Sequence, residues 1–66
     1  MINTGYMIRC RIDRGISQHK LARKIGAAQA CISSWESGRN EPLTMKRFVN
    51  WCMAVGADPR EAIKWQ

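Results

Sequence analysis

Between Ser17 and Arg39 the chain reads SQHKLARKIGAAQACISSWESGR, a stretch that dictates two short helices joined by a tight turn. Leu21, Ala22 and Ile25 recur at i, i+1 and i+4, which places them on one helical face. Ser17 stands where an N-cap belongs, its hydroxyl able to accept from backbone N–H groups of the first turn. Gly26 follows the last apolar residue, where helices commonly stop in a left-handed conformation. The second helix, Ala28 to Glu36, turns Ile32 and Trp35 inward at i and i+3. Gln29, Ala30, Ser33 and Ser34 are left on its other faces. That outward set is short, uncharged and rich in hydrogen-bonding groups, whereas an ordinary solvated face carries Lys and Glu. Such a helix is built to meet a partner.

Around this stretch the chain supports a compact five-helix, all-α bundle. Met1 to Gly5 reads as a frayed start. From Tyr6 the pattern is helical, with Met7, Cys10, Arg11 and Arg14 on one face and Ile8 and Ile12 forming a second stripe. That second stripe would meet either the C-terminal segment or a second subunit. Gly15 breaks this first helix. After Glu36 the run Ser37-Gly38-Arg39-Asn40-Glu41-Pro42 has loop composition. Thr44 then caps a helix from Met45 to about Val55, whose core stripe is Met45, Phe48, Val49, Cys52 and Val55. Trp51 lies at the edge of that stripe, as either a core lid or an interface residue. Gly56 ends the helix. Asp58-Pro59-Arg60-Glu61 carries a capping Asp, a Pro at the first helical position and a Glu at the third, and so starts a short fifth helix reaching about Lys64.

Sixty-six residues make one domain with little apolar surface to bury, so stability should be marginal. Cys10, Cys31 and Cys52 are an odd number, widely spaced and without a zinc-ligand pattern, which favours reduced thiols and a cytoplasmic setting. No leader or membrane-spanning run is present. Eleven Lys and Arg against five acids give a net charge of +6, which on so small a surface favours a polyanion.

The order of these residues is similar to a known pattern. Gln18, Leu21-Ala22, Ile25-Gly26, Ile32-Ser33, Trp35-Glu36 and Ser37-Gly38 resemble the Cro/repressor-type helix-turn-helix proteins, from Met7 to about Ile63. No single tripeptide is diagnostic; the combined spacing is specific. The resemblance implies a DNA-binding regulator of phage or prophage origin, or a small bacterial regulator such as an antitoxin. It implies further that Arg11 pairs with Glu36 in a largely buried ion pair, that Gln18 contacts a phosphate, and that the loop carrying Ser37, Arg39 and Asn40 approaches the DNA backbone. It also implies binding to a two-fold operator as a homodimer, for which Ile63 and Trp65, with Trp51, are the candidate interface. The sequence departs from the pattern at Ala28, where the family carries a capping Ser or Thr, and at Ala62, where it usually carries Leu. Ile63 and Trp65 would take over that apolar role.

The chemistry of the residues agrees with double-stranded DNA as the partner. A helix fits the major groove, where every base pair shows a distinct donor and acceptor pattern. Gln29 can pair bidentately with an adenine, Ala30 can touch a thymine methyl, and Ser33 and Ser34 can donate or accept over a short reach. One of these serines could instead only back-bond to its own helix. Lys20, Arg23 and Lys24 are further phosphate candidates, as are Lys46 and Arg47. An enzyme is not indicated: His19 has no acid or thiol partner, Ser33 and Ser34 have no base, and no phosphate loop, metal cluster or cofactor motif is present. No small-molecule ligand is expected. The alternative of another class is a protein-interaction module using the same fold. RNA is a weaker third reading, because stacking aromatics are missing from the outer face.

Overall fold

The computed structural model describes residues 1–63. Five helices follow one another: α1 (Thr4–Asp13), α2 (Gln18–Ile25), α3 (Gln29–Ser37), α4 (Met45–Val55) and α5 (Pro59–Ala62). The fold is all-α, and among the described residues there is no strand, only an isolated antiparallel bridge between Ile2 and Ile63. No described helix is long and apolar enough to cross a membrane.

The helix ends follow local chemistry. Ser17 accepts from the Lys20 N–H at 3.1 Å, and Thr44 accepts from the Arg47 N–H at 3.1 Å. Gly26, Gly38 and Gly56 close α2, α3 and α4 in the left-handed region. At Gly56 the left-handed conformation is the reason for glycine, and the flexible end of Arg14 lies beside it. Arg14 thereby brings a cation to the C-terminal end of α4, where the helix dipole favours one.

Met7, Leu21, Ile32, Trp51, Cys52 and Val55 form the fully buried centre of the core, drawn from α1 to α4. On α4 the buried arc runs through Trp51, Val55, Phe48 and Cys52 at about 100° per residue, with Met45 and Val49 at its edge. This corrects the expected stripe. Met45 is 69% exposed, at the first position of the helix and beyond the reach of the core. Trp51 is completely buried and packs on Trp35 with ring centroids 5.2 Å apart, so it cannot serve as an interface residue. Its indole Nε1 is buried and has no acceptor among the described residues.

The start of the chain is ordered, contrary to the frayed reading. Asn3 caps α1 by accepting from the Tyr6 N–H, and its own N–H donates to the Ala62 carbonyl at 2.6 Å. α5 also departs from expectation, ending at Ala62 with Ile63 in extended conformation beside Ile2. Ala62 is fully buried and Ile63 packs half-buried on the core. Asp58 caps α5 by accepting from the Arg60 N–H at 2.9 Å, and that bond, with the Arg60 side chain, holds its carboxyl below the usual range. Glu61 does not complete a reciprocal box. The Asp58 N–H donates instead to the Tyr6 hydroxyl at 2.9 Å. Lys64 and Trp65, assigned to α5 and to the candidate interface, lie outside the described residues.

Candidate nucleic-acid interface

α2 and α3 form one unit because Leu21 and Ala22 are buried on one and Ile32, Trp35 and Glu36 on the other. Ala27 and Ala28 make the turn between them, the Ala27 N–H donating to the Ala22 carbonyl at 2.9 Å. At about 100° per residue, Gln29, Ser33, Ser37 and Ala30 fall on one arc of α3, and all of these are exposed. Ser34 lies at the margin of that arc, half-buried. Cys31 packs against the core from the other side. Ser37 belongs to the last turn of α3 and not to the following loop, and its hydroxyl is spent locally, donating to the Ser34 carbonyl and accepting from the Arg39 N–H.

The two ends of α3 are built differently. At the C-terminal end the Ser34 carbonyl accepts from the Ser37 hydroxyl and from the Gly38, Arg39 and Asn40 N–H groups, with Gly38 turning the chain. At the N-terminal end Ala28 supplies no side-chain bond. The other four helices each have one, from Asn3, Ser17, Thr44 and Asp58.

Beneath the exposed arc, Glu36 is held from two sides. Arg11 Nε donates to Glu36 Oε2 at 2.7 Å and Arg11 Nη2 to Glu36 Oε1 at 3.2 Å, a side-on fork between α1 and α3. The side chains are 13% and 4% exposed. Arg11 Nη1 also donates to the Ile16 carbonyl at 2.8 Å, so the same guanidinium fixes the entry to α2. Burying charges is costly unless their hydrogen bonds are satisfied, and here both partners are well supplied.

A helix-turn-helix family model matches residues 7–45, more than half of the chain. The chain is a helix-turn-helix protein of the Cro/repressor type. Neither a curated protein nor a solved structure matches it. The family is one of DNA-binding regulators and is generally non-enzymatic.

Within this helix-turn-helix unit the sequence-assigned residues sit as follows. Gln29, Ala30 and Ser33 share the exposed arc. Lys20, Arg23 and Lys24 line the outer side of α2 together with His19, all exposed. Arg39 and Asn40 are exposed just past α3. The Nε2 of Gln18 is turned inward and donates to Glu36 Oε1 at 2.9 Å. Sequence reasoning missed this bond, since nothing local links residues eighteen apart. Burial pushes the Cys52 thiol up from its ordinary value, consistent with a core side chain. Among the described residues no cluster of His, Cys, Asp and Glu could hold a metal ion.

Met1, Ile2, Pro42, Leu43, Met45, Phe48 and Ile63, with Glu41 and Thr44, line an open groove of about 270 Å³. Leu43 is 92% exposed there. The second apolar stripe, Ile8 and Ile12, faces an open depression bounded only by residues of α1.

Proposed function

We propose that this protein is a sequence-specific, double-stranded-DNA-binding transcriptional regulator of the phage or prophage repressor kind, or a small bacterial counterpart. It reads the major groove with α3. The observation that carries the reading is the uncharged, exposed arc of Gln29, Ala30 and Ser33, presented on a helix whose other side is fixed by a buried ion pair. Gln29 pairs with a base edge, Ala30 offers a methyl contact, and Ser33 and Ser34 supply short-range hydrogen bonds. Arg39, Asn40, Lys20, Arg23 and Lys24 hold phosphates, with Gln18 near them at the start of α2.

One helix of this length reads too few base pairs for selectivity, so the protein binds a two-fold operator as a homodimer with half-sites about 10–10.5 bp apart. The groove bordered by Ile63, Leu43 and Met45 supports this reading, because it leaves apolar surface for a second copy. A protein-interaction module is the second reading, and the same exposed Leu43 favours it.

Selection of binding sites from random duplex DNA tests the proposal. An enriched two-fold motif is expected, and Gln29→Ala should then cost ~1–3 kcal/mol per half-site and relax preference at one position. Arg39→Ala should weaken selected and scrambled duplexes alike and reduce the salt slope by about 0.9. No enrichment from the random pool would favour the interaction module.

A further inference from the structure

Gln18 is the first residue of α2, half-buried, and its carboxamide points at the buried carboxylate of Glu36 and not outward. Glu36 Oε1 accepts from Gln18 Nε2 at 2.9 Å and from Arg11 Nη2 at 3.2 Å, so the Gln18 bond is the shorter of the two on that oxygen. With Glu36 Oε2 taken by Arg11 Nε, the carboxylate joins α1, α2 and α3 at one point. Removing Gln18 leaves that oxygen with the longer bond alone and frees α3 to shift against α2.

The lever from this point to the reading residues is long. Glu36 follows Gln29 by seven residues, which is ~10 Å along the helix at a rise of about 1.5 Å per residue. A tilt of about 5° at the anchored end therefore moves Gln29 by roughly 1 Å, more than the ~0.5 Å window of a good N–H···O hydrogen bond. A base pair read by Gln29 would feel such a tilt. A phosphate held by a flexible Lys or Arg would not, because a long side chain follows the movement.

We propose that Gln18 is a positioning residue for base readout: through its bond to Glu36 it sets the angle of α3, and so governs discrimination between DNA sequences more than affinity for DNA in general. The inference rests on the proposed reading of DNA by α3. It differs from a plain phosphate contact at Gln18. One N–H of the carboxamide is committed to Glu36, and its carbonyl is an acceptor, so only the second N–H could meet a phosphate oxygen.

The test titrates the 66-residue chain with the selected duplex and a scrambled duplex at several salt concentrations. Parent, Gln18→Met and Gln18→Lys are compared, and a thermal melt of each is recorded. Met keeps the length of the side chain and cannot donate; Lys restores a donor to Glu36. For Gln18→Met the selected site should weaken about tenfold while the scrambled duplex stays within about twofold, the low end of what losing the Gln29 base-edge contact would cost. The salt slope should be unchanged, and Gln18→Lys should recover the discrimination. Parallel weakening of both duplexes would overturn the proposal in favour of a phosphate contact, and so would no change in either. Should Gln18→Met be unfolded, Gln18→Ala, a good helix former, serves the same comparison. A parent chain without preference for any selected duplex would instead defeat the DNA-reading function itself, before any variant is made.

Discussion

The two ends of α3 invite comparison, because the same nine-residue helix is locked at one end and open at the other. Its C-terminal turn is closed by Gly38, by four donors on the Ser34 carbonyl and by the Arg11–Glu36–Gln18 cluster. Its N-terminal turn has an alanine for a cap and exposes Gln29 and Ala30. The difference teaches that the anchoring of this helix is concentrated at one end. Interior partners fix the C-terminal turn, and the N-terminal turn leaves its polar groups exposed.

The comparison breaks most severely at Glu36. Glu36→Ala leaves the Arg11 guanidinium largely buried without its carboxylate, a loss of ~3–5 kcal/mol. A domain of this size rarely has more than ~3–5 kcal/mol in hand. The variant is expected to be largely unfolded at room temperature, and a thermal melt within a few degrees of the parent would contradict the locked end. A smaller effect is expected at Gly38, whose φ is 79° and where a Cβ would meet nothing within 4 Å. Gly38→Ala should therefore cost ~1–2 kcal/mol through backbone strain alone, readable as a lower urea midpoint at unchanged slope.

Much of this lock could be anticipated from the sequence, and the parts that could not share a cause. Ser17, Thr44, Gly26 and Gly56 act within a few residues of themselves, so local chemistry located the ends of α2 and α4. The extent of the core on α4 was harder. Met45 has the right spacing, but it sits at the first position of the helix, where the core has already ended. Asn3 to Ala62, Ile2 to Ile63 and Tyr6 to Asp58 are contacts between the two ends of the chain, and no local pattern announces them. Gln18 belongs to this second class. Its place in a family pattern suggested a phosphate, while its bond partner lies on the next helix. The exposed arc of α3 was legible except for Ser37, because the helix runs one residue beyond Glu36.

The open end can be sharpened by supplying what it lacks. Ala28→Ser should add an N-cap bond and stabilise the fold by ~1 kcal/mol, seen as a raised melting temperature. No gain would mean that the first turn of α3 is already satisfied in another way. The smallest effect is expected at α5, which serves as the capped control. Asp58 is held below its usual range chiefly by the Arg60 N–H, so the stability it contributes is present above the unfolded value of about 3.9 and lost as pH falls through the folded value. Melts of the parent and Asp58→Asn from neutral pH downward should converge at the acidic end. A constant difference across the range would assign the effect to something other than the carboxylate charge.

The Trp35–Trp51 pair gives this small chain a built-in optical gauge. The two indoles stand 5.2 Å apart at 42° to each other, one on α3 and one on α4. Chromophores held that close and that oblique couple their transitions, so their combined circular dichroism depends on the angle between the two helices. Trp35 directly precedes Glu36, and any swing of α3 must turn its indole against the fixed one. The protein should thus signal any displacement of α3 in its own ultraviolet spectrum, without an attached dye.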